Sequence, residues 1–127
     1  MGSPREHQQK AEHHLRFLDT ISDEFPDWLA TVAFYSAVEL VEELLASRNH
    51  HSRDHHERKT ALKRHFPNRE LNSAYWELYD ISLEARYELP PEDFPAAREV
   101  REILIGKRLK LIREYVESHA RRSPPPG

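Results

Sequence analysis

The sequence predicts an all-α fold: an up-and-down bundle of about five helices, one of them short. Apolar residues recur at helical spacing in five segments, whereas no segment alternates apolar and polar residues in the two-residue period of a strand. Hairpin dipeptides such as Asn-Gly are also absent. The length of 127 residues suffices for one core. We therefore expect a single bundle domain over residues 1–122 and a disordered proline-rich tail over residues 123–127.

The most apolar segment, residues 27–47, predicts the central helix of the bundle. Its apolar positions wrap most of the way around a helical wheel, so the helix must be buried on most sides. Asp27 follows Pro26 and is expected to cap the first amide groups. Small residues inside this segment let neighbouring backbones come close. They are Ala30, Ala33, Ser36 and Ala37.

Four further segments complete the bundle, at about residues 8–23, 55–66, 69–89 and 96–120. Asp54 stands where the N-cap of the short third helix is expected. Pro90-Pro91 stops the fourth helix, because proline is incompatible with a helix interior. Gly106 lies inside the fifth helix and weakens it by roughly 1 kcal/mol relative to alanine. That position therefore predicts a close contact.

Composition excludes several classes of function. The chain has no cysteine, which rules out disulfides, zinc ribbons, iron–sulfur ligation and thiol catalysis. Its three glycines lie at positions 2, 106 and 127, so no phosphate-cradling loop is present. Three glutamates and two hydroxyl residues interrupt the apolar segment, and the first residues lack the order of a signal peptide. We expect a soluble cytoplasmic protein with no membrane partner and no cofactor.

Charge is distributed unevenly behind a net value of −3. Residues 48–69 contain seven basic residues, two acidic residues and five of the nine histidines. Arginine binds phosphate in a bidentate manner, and histidine can donate or shuttle a proton near neutral pH. The candidate RNA- or phosphate-contacting residues are Arg48, His51, Arg53, His55, Arg58 and His65. An equally weighted alternative is a solvated face on a short amphipathic helix, with Ala61, Leu62 and Phe66 toward the core.

A metal site is not expected in this segment. His51 and His55 are four residues apart, which would suit a shared metal on one helical turn. The predicted helix start at Asp54 separates them, and the adjacent His55 and His56 point apart. Solvated histidines at a loop and a helix start are the preferred interpretation.

Three groups of residues carry a family resemblance. They are Asp27-Trp28 with the Ala-Phe-Tyr-Ser-Ala-Val-Glu-Leu-Val-Glu run at 33–42, the polar Ser-Arg-Asp-His-His-Glu-Arg run at 52–58, and Tyr75, Leu78-Tyr79, Ser82 and Ala85-Arg86-Tyr87. In this order they resemble HEPN-type helical domains, and more closely a group of small prokaryotic HEPN-like proteins. The resemblance implies a helical bundle that often dimerises, and a setting in toxin–antitoxin or defence systems.

The resemblance also implies two kinds of activity, because many such domains are metal-independent endoribonucleases and others only bind. The catalytic signature of the nucleases is an arginine followed at short spacing by a histidine. Spacings of six or seven residues occur here in three pairs: Arg48 with His55, Arg58 with His65, and Arg113 with His119. None has all the expected neighbours, so no catalytic residue is assigned.

Three functions stay open at this point. The first is a HEPN-like binding or accessory module whose basic segment meets RNA or another phosphate-bearing partner. The second is a metal-independent endoribonuclease, in which a histidine moves the proton of an attacking ribose hydroxyl and an arginine steadies the developing charge. The third is a structural interaction protein without catalysis. A homodimer is expected, with RNA or a partner protein as further partners.

Overall fold

The computed structural model describes residues 2–121 and contains five helices, which confirms an all-α bundle with one short helix. Helices α1 to α4 cover Pro4–Leu18, Pro26–Ala46, His55–His65 and Arg69–Leu83. Helix α5 is continuous and consists of Ala97–Glu99, a π-helical segment Val100–Leu109, and Lys110–His119. Residues 122–127, which include the predicted tail, lie outside the described residues.

Helix α2 is central, as its apolar wheel predicts. It packs against α1, α3, α4 and α5, and most of its side chains are buried. Two buried hydroxyl groups within it are satisfied locally, because Thr31 donates to the carbonyl of Asp27 and Ser36 to that of Val32. Trp28 and Tyr35, seven residues apart on one face, are the large aromatic side chains of α2 that reach solvent.

The predicted capping role of Asp27 is wrong. Helix α2 begins one residue earlier, with Pro26 in its first turn and Phe25 as an N-cap that makes no side-chain hydrogen bond. Proline suits this position because its missing N–H would have no partner in the first turn. Asp27 instead lies in the first turn, where its negative charge interacts favourably with the helix dipole.

Helix α1 begins earlier and ends earlier than its apolar spacing predicts. Ser3 and Glu6 form a reciprocal capping box, and Pro4 occupies the first turn. At the other end the helix stops at Leu18, and the hydroxyl of Thr20 donates to the carbonyl of Phe17. Side-chain hydroxyl groups that form hydrogen bonds with the backbone compete with the hydrogen bonds that would extend the helix. These local bonds shift both ends of α1.

Helices α4 and α5 both depart from regular α geometry. A π-helical turn, Glu84–Glu88, follows α4, and the N–H of Leu89 donates to the carbonyl of Glu84. In α5 the exposed Gly106 lies within the π segment, where an added Cβ would come 3.0 Å from the carbonyl oxygen of Arg101. The close contact predicted at this glycine is therefore with its own helix. Such π turns are frequent at functional sites.

Among residues 2–121, no helix combines the length and the apolar content that crossing a membrane requires.

Candidate nucleic-acid interface

The short helix α3 presents a positive face to solvent. Asp54 caps it by accepting a hydrogen bond from the N–H of Glu57 at 2.8 Å. Ala61 and Leu62, together with Phe66 just beyond the helix, are buried, which confirms the amphipathic pattern. Burying that side turns the opposite one outward. The outward residues are His56, Lys59, Thr60, Lys63 and Arg64.

A groove of about 440 Å³ lies between α3 and α4. Its lining includes three cations, two amides and two aromatic side chains, namely Lys59, Lys63, Arg69, Asn68, Asn72, Tyr75 and Trp76. Trp76 is 37% exposed, and the Lys59 ammonium nitrogen lies 3.5 Å from the centre of one of its rings. An ammonium group over an indole face is attracted by the ring quadrupole. The groove therefore combines positive charge with a partly exposed aromatic side chain.

The positive charge of this groove is not neutralised by neighbouring carboxylates. Within residues 2–121, Lys59, Lys63 and Arg69 form no ion pair shorter than 4.0 Å, and neither does Arg64 on the outward face of α3. Clustered charge of one sign raises the local concentration of oppositely charged ligands. The arrangement is thus suited to an anionic partner, although the whole chain carries a net charge of −3.

Arg58, next to Lys59 in sequence, has a different role. Its Nε lies 2.6 Å from Oε1 of Glu42, and its Nη1 lies 3.4 Å from the hydroxyl of Tyr75. The hydroxyl of Ser52 also donates to Glu42. Only 13% of the Arg58 side chain and 8% of the Glu42 side chain are exposed. Arg58 therefore compensates an internal carboxylate and does not present its charge to solvent.

His55 belongs to an aromatic cluster beneath the groove. Its ring stacks on Tyr79 with 3.4 Å between the ring centres, and its Nδ1 lies 3.3 Å from the hydroxyl of Tyr75. Burial, and secondarily the positive charges of Arg58 and Lys59, lower the pKa of His55 to about 4. The imidazole is therefore neutral at pH 7. Its Nε2 is shielded from solvent and has no hydrogen-bond partner in the described part of the chain.

The other four candidate residues are not brought together. The guanidinium of Arg48 lies 4.8 Å from the centre of the Phe66 ring, and the His65 ring lies 5.4 Å from that of His50, near the C-terminal end of α3. His51 is half-buried, with Nδ1 shielded from solvent. Arg53 is 89% exposed before the start of α3, and it pairs with Glu57.

The fold brings together one arginine and one histidine that do not have the nuclease-like sequence spacing. Arg58 and His55 both contact the hydroxyl of Tyr75. Across residues 2–121, no hydrogen bond or ring contact joins the members of the three pairs with nuclease-like spacing. His119, for example, stacks on Tyr115 and donates from Nδ1 to its carbonyl.

Sequence reasoning missed the residues that line the groove. Lys59 and Lys63 belong to the basic segment of residues 48–69, but neither they nor Trp76 are among the candidate residues that the sequence indicates. A helical wheel centred on Ala61 and Leu62 places both lysines outward. The pairing of that face with α4 has no comparable signal in the sequence.

The described residues contain no group of three or more His, Cys, Asp or Glu side chains that could hold a metal ion.

No family model, curated protein or solved structure matches the chain.

Proposed function

We propose that this protein is a HEPN-like RNA-binding accessory module, and that single-stranded RNA binds in the groove between α3 and α4. The observation that carries the proposal is the grouping of Lys59, Lys63 and Arg69, without carboxylate partners in the described residues, around the exposed Trp76. Lysine and arginine neutralise backbone phosphates, and aromatic side chains stack on unpaired bases. A setting in a toxin–antitoxin or defence system follows from the family resemblance and belongs to the same proposal.

The geometry favours binding over cleavage. A general base must reach the proton it removes, and the Nε2 of His55 is shielded from solvent. A pKa of about 4 also lies well below the value suited to proton transfer at pH 7. The neighbouring Arg58 is held by Glu42, so its charge is already compensated. These features support a binding module above the alternative of a metal-independent endoribonuclease.

The first experiment measures binding of a fluorescein-labelled single-stranded RNA by anisotropy across a range of salt concentrations. For single strands, the logarithm of affinity falls with the logarithm of salt by about 0.7 per neutralised phosphate. Three groove cations therefore predict a slope of about −2. Replacing Lys59, Lys63 and Arg69 together by glutamine should remove most of this slope.

A matched triple variant controls for the loss of overall charge. Arg98, Lys107 and Lys110 lie on α5, outside the residues that line the groove, and their replacement by glutamine removes the same charge. This control should bind RNA with nearly the wild-type slope. Equal losses in the two triple variants would mean that RNA senses only net charge, and would refute the groove as the site.

Incubation of the protein with a mixed RNA pool in EDTA separates binding from catalysis. A binding module leaves the RNA intact in every lane. Cleavage that survives EDTA and disappears in a folded His55→Ala variant would instead establish the endoribonuclease alternative and place its site in the aromatic cluster.

A specific observation favours self-association as a second candidate function. Phe17, Phe25 and Trp28 are each about half exposed and line a shallow surface groove between α1 and α2 together with Ile21. Contiguous exposed apolar side chains commonly mark protein interaction sites. We propose that a second copy of the chain covers this surface.

Sedimentation tests the proposed homodimer. The wild-type protein should sediment as a dimer, and Trp28→Ser should shift it toward monomer. Tyr87→Ser, which removes another exposed aromatic ring away from this surface, serves as the control. A wild-type protein that stays monomeric at every concentration tested would refute self-association.

A further inference from the structure

Arg86, in the π-helical turn after α4, is a cation held entirely by neutral groups in the described residues. Its Nε donates to the carbonyl of Ser82 at 3.2 Å and its Nη2 to the hydroxyl of Ser82 at 3.1 Å. Its Nη1 lies 3.4 Å from the hydroxyl of Tyr35. Three aromatic rings, those of Phe34, Tyr35 and Tyr87, lie 5.1 to 5.7 Å from the guanidinium carbon. No carboxylate among residues 2–121 pairs with it.

Hydrogen-bond counting shows which donors stay free. A guanidinium group has five N–H donors, and the three contacts to Ser82 and Tyr35 use one on each nitrogen. One N–H therefore stays free on Nη1 and one on Nη2, and this pair of donors, the fork, is available to two oxygens of an oxyanion. The hydroxyl of Tyr35 accepts from Arg86, so its own proton is available as a third donor.

The supporting bonds orient this fork. The hydroxyl proton of Ser82 is directed to the carbonyl of Tyr79 at 2.7 Å, which leaves a lone pair for Arg86. Tyr35 is 41% exposed and Tyr87 is more exposed still, so a ligand can approach from solvent. The guanidinium is thus positioned by the fold before any ligand arrives, which reduces the entropy lost on binding.

An aromatic row connects Arg86 to the groove between α3 and α4. Trp76 and Tyr79 have ring centres 5.5 Å apart, and Tyr79 and Phe34 have ring centres 5.6 Å apart. Phe34 in turn lies beneath Arg86. Cations therefore stand at both ends of the row, Lys59 over Trp76 and Arg86 over Phe34. Ten residues of helix separate Trp76 from Arg86, which corresponds to about 15 Å.

We propose that Arg86 and Tyr35 form a second phosphate-binding site, which takes a backbone phosphate of the same single-stranded RNA that occupies the groove. This inference rests on the proposed function and extends it. A strand that leaves the groove along α4 places a later phosphate at the free N–H fork of Arg86 and the hydroxyl of Tyr35. Short strands reach the groove alone, and longer strands reach both sites.

The test measures binding of fluorescein-labelled oligouridylates of increasing length by anisotropy. Wild-type affinity should rise stepwise at the length that spans both sites. Arg86→Gln should abolish the step and weaken binding of the long strands by about tenfold or more, since hydrogen bonds to charged groups contribute at least that factor. Binding of the shortest strands should be unchanged. Tyr35→Phe, which keeps the ring, should reduce the step by less.

Two further variants separate recognition from folding and from net charge. Arg86→Lys keeps the charge but lacks the fork, so it should lose most of the step while its thermal melt stays close to that of the wild type. Arg98→Gln removes one exposed charge from α5 and should keep the step. Strands with and without a 5′-phosphate are compared in parallel. A step that requires the 5′-phosphate would assign Arg86 to a terminal phosphate and overturn the backbone-phosphate proposal.

The remaining outcomes distinguish the two proposals. Salt-dependent RNA binding that Arg86→Gln leaves unchanged at every length would overturn the second site and leave the groove intact. Equal weakening at every length would also overturn it, because Arg86 would then act on the groove itself. Failure of the wild-type protein to bind any strand would refute the proposed function, and this inference with it.

Discussion

At the scale of single residues, Glu42 determines what Arg58 does. The Glu42 carboxylate is almost fully buried, and it accepts hydrogen bonds from Arg58 and from the hydroxyl of Ser52. A buried charge is destabilising unless it is paired and hydrogen-bonded, so removal of one partner leaves an uncompensated ion. Arg58 therefore stabilises the fold by pairing with Glu42, and its charge is not available to a ligand.

Arg58→Met should lower the free energy of unfolding by about 3 to 5 kcal/mol, because it leaves the Glu42 carboxylate buried and unpaired. Adding Glu42→Gln should recover most of that loss, since a neutral amide needs no counter-charge. Arg53→Met removes an exposed ion pair and should change stability by less than about 1 kcal/mol. Urea denaturation of the three variants is the measurement. Equal effects at Arg53 and Arg58 would contradict the structural role.

His55 makes the stability of the fold depend on pH. Its pKa of about 4 in the folded protein lies below the ordinary histidine value of 6.5, so between these pH values the unfolded chain binds the proton more readily. Its contribution to stability is complete above about pH 6.5 and declines as the pH falls toward 4. The wild-type protein should therefore lose more stability between pH 7 and pH 5 than His55→Asn.

Urea midpoints at the two pH values test this expectation. His56→Asn, at the adjacent exposed histidine, should keep the wild-type pH dependence. The burial of the His55 imidazole would be contradicted if NMR titration placed its pKa near 6.5.

At the scale of elements, α3 depends on its cap. The helix has eleven residues and buries few apolar side chains, so its own ends contribute a large share of its stability. Asp54 accepts a hydrogen bond from the N–H of Glu57, and its negative charge lies near the positive end of the helix dipole. The same helix carries Lys59 and Lys63, so the cap also maintains the groove.

Asp54→Ala should lower the free energy of unfolding by about 1 kcal/mol through loss of the cap. Asp54→Ser keeps an acceptor oxygen at the same position and should remain close to the wild type. Thermal denaturation followed by circular dichroism measures both. Similar losses in the two variants would indicate that the charge of Asp54 matters and its hydrogen bond does not.

At the scale of the whole molecule, Arg121 fastens the end of the last helix to the centre of the bundle. Its Nε and Nη2 donate to the two carboxylate oxygens of Glu43 at 2.8 and 2.9 Å. The Glu43 side chain is 1% exposed. The hydrogen bond to Glu43 raises the pKa of Arg121, so the guanidinium stays charged. The pair spans 78 residues of sequence and joins α2 to the residues after α5.

Arg121→Met should destabilise the whole bundle by about 3 to 5 kcal/mol, because the buried Glu43 loses its counter-charge. The Arg121→Met/Glu43→Gln double variant should regain most of this stability. Arg113→Met, on the exposed face of α5, is the control and should behave like the wild type. Chemical denaturation distinguishes these outcomes. An unchanged midpoint in Arg121→Met would show that the bidentate pair does not hold the chain end.

The sequence by itself determined the fold class, the central position of α2 and the inward face of α3. Each follows from hydrophobic periodicity, which is a local property that a chain carries whatever its neighbours are. It also placed the cations in residues 48–69. It was wrong about the cap of α2, where Pro26 occupies the first turn, and about the ends of α1, where side-chain hydrogen bonds set the bounds. Neither effect changes the apolar pattern.

Only the tertiary structure decided which cations can meet a ligand. Arg58 and Lys59 are adjacent and both positively charged, yet Arg58 is compensated by Glu42, sixteen residues earlier, and Lys59 faces solvent over Trp76, seventeen residues later. The availability of a charge depends on the partners that folding brings to it, and those partners come from distant parts of the chain. Hydrophobic periodicity specifies which side of a helix is buried, whereas long-range packing determines which residues contact each side chain.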